Sequence, residues 1–421
     1  MFHKFKLIFT DPDLRKKILF VLLALAIFRA GAAIPIPGVD QERLAAFFGG
    51  NQFFGLLNVF SGGAMDNLSI MMLGVGPYIT ASIIMQLLTM IFPRLKEIYQ
   101  EEGEAGRQKF NQYSRLITVP LALLQGFGLL TLLSRQGVLG ELSLFDHAAN
   151  IIIVTAGSML LMWIGELISE YGIGNGVSLL IFAGIISGVP QALGQTIFAS
   201  DIYQFPVILG FAVAAVLVVA AVVIITEGQR PVPVSYARRV RGSRVYGGVS
   251  TYLPLRVNQA GVIPIIFALS ILLFPQMIIN FIAGINNEIV RTIAAAILSF
   301  LNSPWVYAGL YFILVFLFTY FYTAVTFDPD AISSNLQKSG AFVPGIRPGR
   351  STSEFLYKIL NRITLIGALF LGIIAVLPLA MRAITGLVTL TIGGTALLIV
   401  VSVVLETIKQ MEAQMVMRDY D

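Results

Sequence analysis

Four arginines fall within seven positions of one another: Arg238, Arg239, Arg241 and Arg244. The residues before them, Pro231–Tyr236, alternate like an extended strand, and Gly242-Ser243 can make the turn of a hairpin. Guanidinium groups at a hairpin tip suit anionic lipid, RNA phosphate or an acidic protein. The plainer alternative is charge that only orients the chain in a membrane. A second loop, Phe342-Val-Pro-Gly-Ile-Arg-Pro-Gly-Arg350, sets Arg347 between two Pro-Gly pairs, which predicts an exposed turn. Isoleucines at helical spacing are a third candidate: Ile79 with Ile83, and Ile181 with Ile185, while Ile266 and Ile399 lie further along. Packing or lipid contact accounts for any one of them. A ring of branched aliphatics would instead make a dewetted constriction that blocks ions.

Catalytic constellations are missing. Cys is absent, so there is no disulfide framework and no thiol chemistry, and the two histidines, His3 and His147, are far apart. The chain carries no P-loop, no His-Glu-x-x-His and no nucleophile elbow. Gly172-Ile-Gly-Asn-Gly176 looks superficially like a phosphate loop, but it lacks the lysine and no strand precedes it. It reads as a tight turn. The expectation is a protein that is not an enzyme and uses no metal or cofactor.

The elements that must position these residues are long apolar runs. They centre near Ile18–Phe28, Met71–Phe92, Leu116–Leu133, Ile151–Ile164, Val177–Val189, Val207–Thr226, Ala260–Ile282, Val306–Phe327, Ile363–Leu379 and Leu387–Leu405. Most approach the ~20 residues needed to cross a bilayer core. The chain is 57% hydrophobic and 12% charged, about half the charge of a soluble domain. Of 28 Lys and Arg, 23 fall in alternate gaps between the runs. Basic gaps stay cytoplasmic, so both termini and the loops 227–258 and 328–362 are expected inside, which an even count of ten spans allows. The first run lacks a small-residue cleavage site, so no removable signal peptide is expected.

Ten spans divide as five plus five, residues 1–200 and 201–421, and an odd number per half inverts one half relative to the other. Arg29 sits toward the outer end of the first span, and Glu166 and Glu170 at the inner end of the fourth. No acidic or histidine relay stands at midplane, which argues against a coupled transporter. Between the first two spans, Asn58–Phe92 is polar and glycine-rich, with Ser61 placed to cap a short helix and Gly74, Gly76 and Pro77 to break it. Irregular backbone at membrane depth is tolerated only inside protein or beside a water-filled cavity. The segment is thus either a surface loop or a piece folded back into a pore.

Seven stretches, in order, carry a resemblance. They are Asn58–Leu68 with Phe-Ser-Gly-Gly-Ala, Pro77–Leu88, Tyr171–Gly184, Glu227–Tyr246, Leu253–Pro275 with Gly-Val-Ile-Pro, Phe342–Gly349 and Gly393–Val400. Together they resemble the SecY family, channel-forming subunits of the bacterial Sec protein translocase. The resemblance implies an all-α polytopic membrane protein of ten transmembrane helices, in two inverted five-helix halves around an hourglass pore. It implies that Phe60, Ser61, Gly62, Gly63, Ala64, Met65, Asp66, Asn67 and Leu68 form a short plug helix. Ile79, Ile83, Ile181, Ile185, Ile266 and Ile399 match the pore ring, and Thr89, Gln125 and Pro275 match a lateral gate. Arg238, Arg239, Arg241, Arg244, Arg347 and Arg350 fall on the cytoplasmic loops that dock partners.

The function so implied is passage of unfolded secretory polypeptides across a bacterial cytoplasmic (inner) membrane, with lateral release of apolar segments into lipid. Energy would come from a partner ATPase or the ribosome. Implied partners are the small membrane subunits SecE and SecG, the SecA motor, the ribosome, signal peptides and nascent polypeptides, and membrane lipids. The competing class is an inverted-repeat secondary transporter, which needs a midplane solute site that this sequence does not offer.

Overall fold

The structure is a computed structural model. It describes residues 11–39, 44, 61, 63–65, 67–100, 102–135, 137–140, 143–199, 205–236, 239–241, 244–246, 250–282, 288–301, 303–385 and 393–418. Among these, ten helices of 16 or more residues coincide with the ten apolar runs. They are α1 Pro12–Ala32, α2 Gly76–Ile91, α4 Gly103–Arg135, α5 Leu144–Tyr171, α6 Gly176–Ala199, α7 Phe205–Glu227, α8 Ile263–Ile282, α10 Pro304–Thr326, α12 Arg350–Thr385 and α13 Gly393–Arg418. Shorter helices are α3 Pro93–Gln100, α9 Glu288–Leu301 and α11 Pro329–Lys338. By length and composition alone, four described helices can cross a membrane, or five if the α2–α3 pair counts as one broken span.

Local chemistry sets the boundaries. Asp11 caps α1 by accepting the Asp13 amide at 2.9 Å, with Pro12 at the first position. Ser143 caps α5 and donates to Asp146 at 2.7 Å. The 117° bend between α2 and α3 falls at Pro93. Phe92 before it is extended, with φ −108° and ψ 107°, because a proline ring excludes the preceding residue from the helical region.

The chain forms two compact units, one of residues 1–205, 270–303 and 403–421, the other of 206–269 and 304–402. In the first, the chain after α1 returns antiparallel on itself. Ile36 donates to the Leu68 carbonyl and Ile70 to the Ile34 carbonyl, both at 2.9 Å. This brings Ile36, Met65, Leu68 and Met72 into one buried cluster with Leu129, Leu130 and Leu133 of α4 and Val154 of α5. Gly157 of α5 lets the Ile70 backbone cross it in contact; a Cβ there would overlap the Ile70 carbonyl oxygen and stand 2.8 Å from its carbon. Next to it, the buried Ser158 hydroxyl donates to the Gly74 carbonyl at 2.9 Å. The Gly172–Gly176 stretch is a tight turn, as expected. Gly174 has φ 94°, and the Ser169 hydroxyl accepts the Gly176 amide at 2.8 Å.

The second unit adds strands to the helices: β1 Gln229–Tyr236, β2 Arg239–Arg241, β3 Arg244–Tyr246, β4 Ser250–Arg256 and β5 Ala341–Phe342. The expected hairpin is present as β2–β3, with Arg241 opposite Arg244. The other three strands form a sheet in the order β4-β1-β5. Pro231 faces Pro254 in its register. Neither has an N–H to give, so the pair occupies a position where the ladder needs no bond. Val232, Leu255 and Val343 pack the sheet on Leu356, Ile359, Leu360 and Ile363 of α12.

Candidate functional site

The six candidate ring isoleucines are all buried, none more than 8% exposed. Ile79 and Ile83 share a face of α2, and Ile181 and Ile185 a face of α6, all in the first unit; Ile266 of α8 and Ile399 of α13 belong to the second. Each is a branched aliphatic without a polar atom, so none can replace an ion's hydration shell.

The candidate plug differs from the expectation in conformation. Its described residues, Ser61, Gly63, Ala64, Met65, Asn67 and Leu68, run as successive turns and not as an α-helix. Two residues forbid helical continuation: Gly63 has φ 76° and Leu68 φ 42°, both left-handed. Ser61 does cap the segment, accepting the Met65 amide at 3.2 Å. Ala64, Met65 and Leu68 are buried and Asn67 is exposed. A Cβ at Gly63 would stand 3.6 Å from an Arg29 guanidinium nitrogen and 3.7 Å from the Ser187 hydroxyl of α6, two residues from Ile185. The turns therefore lie beside one of the isoleucine-bearing helices. Phe60, Gly62, Asp66 and Arg238 lie outside the described residues.

Of the gate candidates, Thr89 is buried on α2, its hydroxyl donating to the Gln86 carbonyl at 2.6 Å. Gln125 is half-buried on α4, the helix packed against α2. Pro275 is exposed within α8. Arg115 of α4 and Glu166 of α5 form an ion pair at 2.7 Å, which uses one of the two carboxylates that the sequence places at that helix end.

The two candidate docking loops are one structure. Ser235 pairs with Phe342 and Tyr236 with Ala341, so β5 from the second loop extends the sheet of the first. Arg347 is exposed, and hydroxyls flank it. Thr352 donates to the Arg347 carbonyl at 2.9 Å, and Ser333 of α11 to the Gly349 carbonyl at 2.6 Å. Arg350 is exposed and pairs with Glu354 at 3.2 Å. Sequence reasoning missed the β5 link and both hydroxyls. The only signal for them was a Ser inside one helix and a Thr in the first turn of the next, on either side of a Pro-Gly turn, a pattern many helices share.

A family model described as SecY matches residues 69–408. The Protein translocase subunit SecY of Mycobacterium tuberculosis is 44% identical, over 97% of this chain and 96% of its own. A solved structure described as "The structure of a protein conducting channel" matches with a TM-score of 0.63 at 19% identity, covering 94% of this chain and 91% of that one. "Sec61 in the Canine ribosome-channel complex from the endoplasmic reticulum" matches at 0.60 and 20%, again over 94% and 91%. At those identities the two structures speak for the fold, an all-α polytopic membrane protein.

Proposed function

Since the chain belongs to the SecY family of membrane protein-translocation channels, we propose that its six buried isoleucines form the seal of that channel. Ile79, Ile83, Ile181, Ile185, Ile266 and Ile399 would ring a constriction between two inverted halves, residues 1–200 and 201–421. The observation that carries this reading is the burial of all six purely apolar side chains, on four different helices. An apolar ring gives ions no ligand, yet its side chains part around polypeptides of any sequence. The turns at 61–68 would plug the pore from one side.

Thr89, Gln125 and Pro275 would line a lateral seam. Through it an apolar segment leaves for lipid, where each central Leu or Ile gains roughly 0.3–0.6 kcal/mol and each charge costs roughly 2.5–3.5 kcal/mol. Sorting by partition needs no catalysis, and the family is not a catalytic one. The energy for export would come from outside: from the SecA motor or the ribosome, docked on the joined loops that carry Arg238, Arg239, Arg241, Arg244, Arg347 and Arg350. SecE and SecG would complete the complex in a bacterial cytoplasmic membrane, with both termini of this chain inside. The Sec61 neighbour, described in a ribosome–channel complex, supports the ribosome as one such partner.

The test is electrical. Ile83→Asn and Ile266→Asn, reconstituted in planar bilayers, should raise resting ion conductance and relax signal-sequence selectivity, because amides hydrate the ring. Unchanged conductance in both variants would remove these residues from the seal.

A further inference from the structure

We propose that the cleft between α10 and α12 holds the headgroup of a zwitterionic, amine-bearing phospholipid, with an acyl chain in the groove below it. The cleft has a volume of about 730 Å³, and its charged lining is Asp328, Asp330, Arg350, Glu354 and Lys358, beside Tyr320 and Tyr357. It stands where the apolar run of α10 ends, at Thr326, and where that of α12 begins, at Ile363. That is the depth of a headgroup, and the depth at which tyrosines concentrate.

Beyond the cleft, toward mid-membrane, α10 and α12 present an apolar face that we take as the groove. The rings of Phe312, Phe316 and Tyr320 step along α10 with centroids 6.5 and 5.3 Å apart. The Tyr320 hydroxyl lies 3.5 Å from the Asn361 carbonyl oxygen of α12. Further down, Gly372 makes room for Phe312, since a Cβ there would stand 2.7 Å from the ring. Between these points Leu365 and Leu369 continue the face of Asn361 at helical spacing and remain 44% and 42% exposed. The face is apolar, open and as long as part of an acyl chain.

The charges select the headgroup. Three acids against two bases leave the cleft formally one negative. Asp328 accepts the amides of Asp330 and Ala331, Asp330 accepts the Ser353 hydroxyl, and Glu354 pairs with Arg350. Lys358 belongs to no ion pair among the described residues. A phosphate therefore has Lys358 as its partner, and an ammonium group has the carboxylates and the faces of Tyr320 and Tyr357. A purely anionic headgroup satisfies Lys358 but adds charge to a cleft already negative. The site does not rest on the pore reading; it shares Arg350 and the 328–362 segment with the docking reading, and lipid binding by the isolated chain is read without any docked partner.

The full chain in detergent should be titrated with phosphatidylethanolamine or phosphatidylglycerol of identical acyl chains, and bound lipid counted by native mass spectrometry. One phosphatidylethanolamine should bind about tenfold more tightly than phosphatidylglycerol, the scale of one charge-assisted contact. Lys358→Glu should abolish that binding, while Lys96→Glu on α3 leaves it unchanged. Glu354→Gln, which removes one acid, should shift the preference toward phosphatidylglycerol and keeps the proposal testable if Lys358→Glu does not fold. Equal or tighter binding of phosphatidylglycerol by the wild-type chain overturns the proposal. So does wild-type affinity in Lys358→Glu. A Leu369→Trp probe, with Trp163 and Trp305 changed to Phe, should be quenched by phosphatidylethanolamine brominated on its acyl chains in vesicles of the assembled translocase. Absence of quenching means that a polypeptide covers the groove, and overturns it as well.

Discussion

Removing the two hydroxyls that flank Arg347 should loosen the turn without touching the arginine. Ser333→Ala deletes the 2.6 Å bond to the Gly349 carbonyl, and Thr352→Val the 2.9 Å bond to the Arg347 carbonyl. Both side chains are buried, at 3% and 2% exposure. Water can reach the exposed turn they hold, so the loss is the net worth of each bond, about 0.5–1.5 kcal/mol, and not the full penalty of a buried orphan. Together the two changes cost the closed turn roughly 1–3 kcal/mol, which raises its open population roughly 5- to 150-fold at 1.4 kcal/mol per tenfold. Hydrogen exchange reads this directly at the amides of Ile346, Thr352 and Ser353, which bond within the turn. Protection should fall by that factor in the double variant, and Thr352→Ser should preserve it. If Arg347 must be presented in a fixed geometry, the half-saturating concentration of the motor in reconstituted translocation rises while the maximal rate holds. Unchanged exchange would show that the hydroxyls do not restrain the turn. Faster exchange with unchanged motor dependence would show that Arg347 acts without being held.

Arg347→Glu itself should strongly impair motor-driven export into reconstituted vesicles while thermal unfolding stays near wild type, because an exposed turn residue rarely controls stability; wild-type export would return it to plain orientation charge. Gly157→Ala must push the Ile70 backbone off α5 and should cost about 1–3 kcal/mol in thermal unfolding, whereas Gly309→Ala, which has nothing within 4 Å of its Cβ, should be near neutral; equal effects would refute the close approach. Thr89→Cys with Pro275→Cys should be bridged by a short bifunctional thiol reagent that blocks both secretion and membrane insertion; full cross-linking at an undiminished translocation rate removes the gate assignment. Protease added to inside-out vesicles should cut the 227–258 and 328–362 loops, and added to right-side-out vesicles should spare them; the reverse pattern would overturn the orientation.

Much of this protein was legible in one dimension because a bilayer is a one-dimensional constraint. Span length, the parity of basic gaps and the lack of midplane charge depend on composition along the chain, and the ten apolar runs reappear as ten helices. The β2–β3 hairpin was legible from the Gly-Ser pair that separates its strands in the sequence, whereas the break at Pro93, though local in cause, was not foreseen. Ser61 was legible as a cap, but the described residues after it run as turns and not as the expected helix. The positive φ of Leu68 is imposed by the pairing of residues 34–36 with 68–70, a contact between segments that no local propensity contains. The joining of the two docking loops through Tyr236 and Ala341, and the crossing of Ile70 over Gly157, are of the same kind. So is the cleft between α10 and α12, whose lining comes from three helices. Sequence pattern determined what each segment must bury and where it must turn; only the tertiary structure decided which surfaces met, because the partner of a buried face is chosen by shape and hydrogen-bond satisfaction across distances that periodicity does not record.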